Sequence, residues 1–172
     1  VTATVLLGGL VADTVMLKSP TTTEYDKVVA EALKKAAEIE DFDEFCHALF
    51  SSSASLREKD PKTVILSDFK KYTAHGVHFG IGQVEVGSLD EIKEMKEIYL
   101  ESLKSVRDKE GLSIAMLLVT DVFKEESILL NTQFDKEYKI PYERLDKGMY
   151  YLPGVLSRKK QLLPETLKVL ED

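Results

Sequence analysis

The segment Ile114–Thr120, with the sequence IAMLLVT, decides the fold class of this chain. It is a continuous apolar run of strand length, which is typical of a central strand covered on both faces. The segment Val77–Val86, VHFGIGQVEV, alternates apolar with polar or small residues and predicts a second strand, and Ala74–Gly76 before it predicts a hairpin turn. A third strand is predicted at Ser127–Asn131, next to Ile114–Thr120.

A segment with helical periodicity lies between the predicted strands Val77–Val86 and Ile114–Thr120, so the chain has the alternation of strand and helix expected of an α/β domain. Ser88 is placed to cap a long helix that extends to Glu110, and Glu91 stands at its capping-box position. Apolar residues recur along this helix at intervals of three or four. A short strand is predicted at Met149–Leu152 and a terminal helix at Pro164–Leu170.

The N-terminal part of the chain has a different, helical pattern. Small apolar residues predict a helix or helix-turn at Thr2–Leu17, Thr23 is placed to cap a second helix, and Phe42–Phe50 carries the apolar stripe of a third. The small polar residues that follow, ending in a charged stretch and a proline, predict a linker. We therefore expect three parts: a first domain at 1–50, a linker at 51–60 and a second domain at 61–172.

The composition limits the class of protein. A hydrophobic fraction of 44% is enough for a buried core, and a net charge of −7 with a pI near 5.1 argues against a nucleic-acid-binding surface. No apolar run approaches the roughly 18 residues of a membrane span. The single cysteine, Cys46, cannot form an internal disulfide, which favours a cytoplasmic location. The chain opens with Val1 rather than Met, in an apolar segment, and we expect it to be a piece of a longer polypeptide.

The segment Ser157–Gln161, SRKKQ, is the foremost candidate for a binding site. Its three consecutive cations, Arg158, Lys159 and Lys160, lie between apolar residues in an acidic chain, and a bound anion would offset their mutual repulsion. Arginine offers a planar fork to phosphate oxygens, and lysine offers a mobile point charge. The charge pattern by itself favours the simpler interpretation, which is a solvent-exposed turn.

Asp13 is a second candidate, since a carboxylate in an apolar segment is either a helix-end cap or a ligand for a metal. Lys70 lies in another cationic stretch, Asp68–Tyr72, whose pattern alone is typical of an exposed loop or helix end. His75 and His78 have a spacing that puts them on opposite faces of a strand, so we assign them to the surface. The sequence has no P-loop, no GxGxxG and no CxxC motif.

Four landmarks follow one another along the chain. They are Ala12-Asp13-Thr14 with Lys18–Thr23, Asp68-x-Lys70, Ile81–Val84, and Ser157–Gln161 after Leu152-Pro153-Gly154. In this order and spacing they resemble the manganese-dependent (family II) inorganic pyrophosphatases of the DHH phosphoesterase superfamily. The SRKKQ element is specific for that family, whereas the other three are not specific by themselves. The resemblance covers nearly the whole chain.

The resemblance implies a layout. Residues 1–50 would be the helical end of an N-terminal, metal-binding DHH domain, and the linker at 51–60 would fall at the hinge of the family. Residues 61–172 would form a C-terminal DHHA2 domain, in which helices flank a mixed β-sheet. In that family the C-terminal domain closes over the metal site and supplies cations to the phosphate oxygens of the substrate.

The resemblance also implies roles for residues. Two metal ions, Mn²⁺ or Co²⁺, activate the attacking water in that family, and Mg²⁺ is a candidate ion carried by the substrate. Asp13 would be a metal ligand, whereas Lys70, Arg158 and Lys159 would bind the phosphates. The Asp-His-His motif of the family does not occur in this sequence, so the metal site would be incomplete in this chain.

The implied function is hydrolysis of pyrophosphate to two phosphates, with this chain supplying the cationic clamp and being inactive alone. Its expected partners are pyrophosphate and the missing N-terminal DHH portion. A homodimer is a candidate assembly, and we expect the protein to bind neither nucleic acid nor a membrane. Two alternatives stay open. One is an exopolyphosphatase or another DHH phosphoesterase, and the other is a free-standing DHHA2 module that binds an anion or a partner without catalysis.

Overall fold

The structure, a computed structural model, describes residues 1–51, 55–132 and 140–171. The chain divides into two units, Val1–Ser53 and Ala54–Asp172, and each is described by itself. The predicted linker at 51–60 includes residues 52–54, which lie outside the described residues. The predicted boundaries at residues 50 and 61 remain predictions.

The first unit contains the three predicted helices. They are α1 at Thr2–Asp13, α2 at Glu24–Ala36 and α3 at Phe42–Ser51. Helix α1 packs on the other two and buries Leu7 and Val11 completely. Thr23 caps α2 as predicted, because its Oγ1 accepts a hydrogen bond from the Asp26 amide at 3.2 Å while the Asp26 carboxylate accepts from the Thr23 amide at 2.7 Å.

The second unit alternates helices and strands, and its elements follow in chain order. The helices are α4 at Pro61–Ser67, α5 at Asp90–Glu94, α6 at Lys96–Lys109 and α7 at Leu163–Glu171, which continues a π-helical turn at Arg158–Leu162. The strands are β1 at Phe69–Ala74, β2 at Val77–Val86, β3 at Ile114–Asp121, β4 at Glu126–Asn131, β5 at Glu143–Asp146 and β6 at Met149–Pro153. No helix among the described residues is long and apolar enough to cross a bilayer.

The six strands form one mixed sheet in the order β1-β2-β3-β4-β6-β5. Strands β2 and β3 are parallel, and the other neighbouring pairs are antiparallel. Every residue of β3 is buried, which confirms the central strand predicted from IAMLLVT. The predicted α/β class, with helices flanking a mixed sheet, is confirmed.

Two apolar layers cover the sheet. One face, which we call the α6 face, carries Leu117 and packs against Ile65 of α4 and Leu103 of α6. The opposite face, which we call the α7 face, carries Leu118 and packs against the π-helical turn and α7, with Leu162 buried between them. Successive strand residues point to opposite faces, so the face of any strand side chain follows from its position.

The predicted hairpin turn connects β1 to β2. Ala74 pairs with Val77, so the turn has only two residues, His75 and Gly76. Their φ angles are 49° and 77°, and two left-handed residues are the signature of a type I′ turn. This tight connection sets the register that brings Lys70 opposite Ile81.

The single long helix predicted from Ser88 to Glu110 is wrong, because two helices, α5 and α6, meet at Met95. Glu91 does not close a capping box with Ser88. Its carboxylate instead accepts hydrogen bonds from Ser55 Oγ at 2.6 Å and from the Leu56 amide at 2.7 Å. Leu56 is buried in the core on the α6 face, so Glu91 fixes the segment that enters the second unit.

Candidate anion-binding site

The cationic segment begins where β6 ends. Gly154, with φ of 71°, turns the chain out of the strand. Ser157 is extended, and its carbonyl accepts from the amides of Gln161 at 3.0 Å and Leu162 at 3.2 Å, which makes the following turn π-helical. Pro164 lacks an amide hydrogen, and it is tolerated because it lies in the first turn of α7. Turns of π-helix are uncommon in proteins, and those that occur are often found at functional sites.

Arg158 leaves this turn toward the first two strands. Its Nη1 donates to the carbonyls of Asp68 at 2.6 Å and Ile81 at 3.2 Å, and its Nη2 donates to the Asp68 carboxylate at 3.0 Å. The Arg158 side chain is only 11% exposed. Its Nε is buried and has no hydrogen-bond partner among the described residues. The guanidinium is therefore held by the fold, while part of its donor capacity is not used by the protein.

Lys70 lies at the same corner of the sheet. Tyr72 and Ala74 of β1 pack on the α7 face, so Lys70, two residues earlier, projects from that face as well. Lys70 pairs with Ile81, whose carbonyl also accepts from Arg158. The structure thus brings together two predicted site residues that are far apart in sequence.

The free cations of the site are lysines. Lys70 and Lys159 are exposed, and no carboxylate among the described residues forms an ion pair with either of them. Arg158, by contrast, shares its charge with Asp68. Because Lys159 follows Arg158 directly in the π-helical turn, the site combines one fixed guanidinium with two lysines that are available to an anion.

Two polar residues of β2 extend the site along the α7 face. Gln83 and Glu85 follow Ile81 at intervals of two, so they project from the same face. The Gln83 side-chain nitrogen, Nε2, donates to the Glu85 carboxylate at 2.9 Å. Burial raises the pKa of Glu85, and the charge of Asp68 adds to this, whereas Gln83 and Arg158 oppose it.

Asp13, the predicted metal ligand, belongs to the first unit. It is the last residue of α1, and it is exposed. The three residues after Thr14, which are Val15, Met16 and Leu17, all have left-handed φ angles of 49°, 57° and 62°. Such conformations cost on the order of 1–3 kcal/mol each, and they cluster at functional sites. No group of three His, Cys, Asp or Glu residues suited to a metal occurs in the described part of the chain.

Sequence reasoning missed Asp68 and Gln83 as parts of this site. Both lie in the landmarks Asp68-x-Lys70 and Ile81–Val84, but neither was assigned a role, and the contact of Asp68 with Arg158 spans 90 residues. Gln83 did carry a signal, because a carboxamide interrupts the apolar alternation of β2 at a position that shares a face with Ile81. A polar side chain on the buried face of a strand needs a hydrogen-bond partner, and that partner lies near Arg158.

Comparisons with known proteins give a consistent result. The DHHA2 domain family matches residues 47–169. A manganese-dependent inorganic pyrophosphatase of Methanocaldococcus jannaschii is 34% identical over 166 residues, which cover 94% of this chain and 53% of that protein. A cobalt-dependent inorganic pyrophosphatase of Clostridium perfringens is 31% identical over 173 residues, which cover 98% of this chain and 31% of that protein.

A solved structure agrees with the sequence matches. A crystal structure described as a family II inorganic pyrophosphatase of Methanococcus jannaschii superposes with a TM-score of 0.82 at 34% identity. The match covers 99% of this chain and 55% of that one. This chain therefore spans about half the length of the first curated relatives that it matches.

Proposed function

The chain belongs to the DHHA2 domain family, as its motifs indicated, and on that premise we propose that it supplies the phosphate-binding part of a metal-dependent inorganic pyrophosphatase. The observation that carries the proposal is the convergence of Lys70 and Arg158 at one corner of the sheet, with Lys159 next to Arg158. A cationic corner in a chain of net charge −7 suits a small, highly charged anion. Relatives named as inorganic pyrophosphatases support pyrophosphate as that anion.

The proposed role of the corner is electrostatic. Hydrolysis of pyrophosphate breaks a P–O–P bond when water attacks one phosphorus, and negative charge moves to the departing phosphate. Lys70 and Lys159 would bind oxygens of the substrate, and Arg158 would offer the donor capacity that Asp68 and the two backbone carbonyls leave unused. Cations fixed before the reaction stabilise the charge as it develops.

The metal site cannot be built from the described residues alone. Asp13 contributes one exposed carboxylate, and no group of three potential ligands occurs in the described part of the chain. Relatives named as manganese- and cobalt-dependent support Mn²⁺ or Co²⁺ as the required ion. We propose that Asp13 is one ligand, that the remaining ligands come from an N-terminal DHH portion, and that Mg²⁺ accompanies the substrate.

The surface of α1 supports the proposal of a further N-terminal portion. Helix α1 is apolar almost throughout, yet Val5 is 69% and Leu6 is 57% exposed. Exposed apolar surface of this kind marks a region that another part of a protein covers. We also propose a cytoplasmic location and a homodimer.

The test is phosphate release by the complete protein with Mn²⁺ or Co²⁺, on pyrophosphate and on long-chain polyphosphate. We expect hydrolysis of pyrophosphate, a fall of kcat/KM by about one to two powers of ten in Arg158→Ala, and a much smaller change in Lys160→Ala. We also expect no hydrolysis by the 172-residue chain alone. Activity on polyphosphate without activity on pyrophosphate would support the exopolyphosphatase alternative and contradict the proposal.

A further inference from the structure

The segment between β6 and the π-helical turn is held by side chains rather than by regular secondary structure. The Gln161 side chain forms three hydrogen bonds with the backbone of this segment. The carboxamide oxygen accepts from the amides of Leu156 at 2.8 Å and Ser157 at 3.0 Å, and the nitrogen donates to the Gly154 carbonyl at 2.8 Å. Gln161 therefore fixes the segment from the side of the turn that follows it.

Gln83 fixes the same segment from the side of the sheet. Its side-chain oxygen accepts from the Arg158 amide at 3.0 Å, and its side-chain nitrogen donates to the Leu156 carbonyl at 3.2 Å. One carboxamide thus satisfies a backbone donor and a backbone acceptor on the two sides of Ser157. These bonds span 75 and 73 residues, so they join β2 to a distant part of the chain.

The backbone of Gln83 also contributes to the position of Arg158. The Gln83 amide donates to the Asp68 carbonyl at 3.1 Å. The same carbonyl accepts from Arg158 Nη1 at 2.6 Å. Gln83 is therefore linked to both ends of Arg158: directly to its backbone, and through the Asp68 carbonyl to its guanidinium.

The side chain at position 83 must both accept from the Arg158 amide and donate to the Leu156 carbonyl, and a carboxamide does both. A glutamate would keep the acceptor for the Arg158 amide but would leave the Leu156 carbonyl without a donor. A methionine of similar length would lose both bonds. The backbone groups left unpaired would draw residues 156–158 toward water, because buried polar groups without partners are costly.

We propose that Gln83 is a positioning residue for anion binding, holding Arg158 in register with Lys70. This inference rests on the proposed function, since it assumes that these cations bind phosphate. Gln83 acts through Arg158 and makes no contact with substrate itself. Its effect on activity must therefore depend on the presence of the Arg158 side chain.

The test is a double-mutant cycle on pyrophosphate hydrolysis by the complete protein. We expect Gln83→Met to lower kcat/KM by about tenfold to a hundredfold, because small displacements of positioned groups have effects of that size. In an Arg158→Ala background, we expect the same substitution to cost less than about threefold, in line with the coupling of contacting residues. An equal fold loss in both backgrounds would show that Gln83 does not act through Arg158, and would overturn the proposal.

Thr132→Val is the matched control for a general loss of stability. Thr132 is buried, whereas Gln83 is half-buried, and the Thr132 Oγ1 accepts from the Ala115 amide at 3.0 Å and donates to the Ala115 carbonyl at 3.2 Å. The substitution therefore removes two side-chain bonds to backbone between β3 and the end of β4, with no contact to the Arg158 segment. We expect a comparable decrease in thermal stability with kcat/KM unchanged, and a fall in kcat/KM equal to that of Gln83→Met would overturn the proposal.

Two further measurements keep the outcome decisive. If Gln83→Met does not fold, Gln83→Ala replaces it, because it removes the same two bonds to residues 156 and 158 without adding a charge, and its loss should again depend on Arg158. If the wild-type protein does not hydrolyse pyrophosphate, the proposed function fails, and the same cycle is then measured calorimetrically on the dissociation constant for inorganic phosphate. Unchanged phosphate affinity in the Gln83 variant would overturn the positioning role independently of catalysis.

Discussion

Replacing Asp68 with Asn should strengthen phosphate binding at Arg158, although it removes the charged partner of that arginine. An asparagine retains the oxygen that accepts from Arg158 Nη2, now at 3.0 Å, and the backbone carbonyl that accepts from Nη1 is unaffected. The guanidinium should therefore stay in place. What changes is one negative charge beside the position that a phosphate oxygen would occupy.

The size of the effect follows from the geometry. Two hydrogen bonds of about 3 Å that diverge from one nitrogen place the Asp68 oxygen and a bound phosphate oxygen about 5 Å apart. The Asp68 side chain is 49% exposed, so a dielectric constant near that of water applies. Two unit charges then repel by about 0.8 kcal/mol, and the larger charge of phosphate raises this to about 1–1.5 kcal/mol. We expect phosphate to bind about fivefold to tenfold more tightly.

The assay is a calorimetric titration of inorganic phosphate into the complete protein, at low and at high ionic strength. The gain should decrease as salt screens the charge. Asp146→Asn is the control, because it makes the same charge change on β5, at the opposite edge of the sheet. Weaker phosphate binding in Asp68→Asn, by as much as in Arg158→Ala, would refute the reasoning, since it would mean that the carboxylate is needed to hold Arg158.

Four more substitutions test other parts of the description. Arg158→Lys keeps the charge but loses the planar fork, and we expect kcat/KM of the complete protein to fall by about tenfold in steady-state assays, less than in Arg158→Ala. Burial raises the pKa of Glu85 above its usual 4.5, so the contribution of this carboxyl to stability is present below pH 4.5 and is lost as the pH rises through its folded-state pKa. Relative to the wild type, Glu85→Gln should therefore gain more urea resistance at pH 7 than at pH 4. The added methyl in Gly82→Ala would lie 2.8 Å from the Ile65 carbonyl, so this substitution should lower the free energy of unfolding by about 1–3 kcal/mol. In Gly9→Ala the added methyl meets no atom within 4 Å, and the substitution should raise the free energy of unfolding by about 0.5–1 kcal/mol.

The strands that form the core could be predicted from the sequence, because burial imposes an apolar pattern on them. Ile114–Val119 and Ile128–Leu130 are continuous apolar runs, and they lie in the buried strands β3 and β4. Strand β5, at Glu143–Asp146, could not be predicted in this way, because all four of its residues are exposed at the edge of the sheet. The division between α5 and α6 could not be predicted either, because the apolar periodicity of the two helices continues without interruption through Met95.

The candidate site was predictable as a set of residues but not as an arrangement. Arg158, Lys159 and Lys70 were selected from local motifs, and their roles in phosphate binding remain proposals. That Lys70 and Arg158 share one corner depends on the register of β1 with β2 and on the path of the chain after β6, which no local pattern encodes. The bonds of Gln83 to Leu156 and Arg158 could not be foreseen either, because a carboxamide does not specify its partner.

The hydrogen bonds of Arg158 have a consequence for the kinetics of folding. Those to Asp68 join residues 90 apart, and the bond from Gln83 to Leu156 joins residues 73 apart, so each closes a long loop of chain. Closing such loops is entropically expensive, and contacts of this kind tend to form after the local hairpins and helices. A phosphate bound at Arg158 should then stabilise the native state without stabilising the transition state for folding. We therefore expect phosphate to slow unfolding of the second unit while leaving its folding rate nearly unchanged.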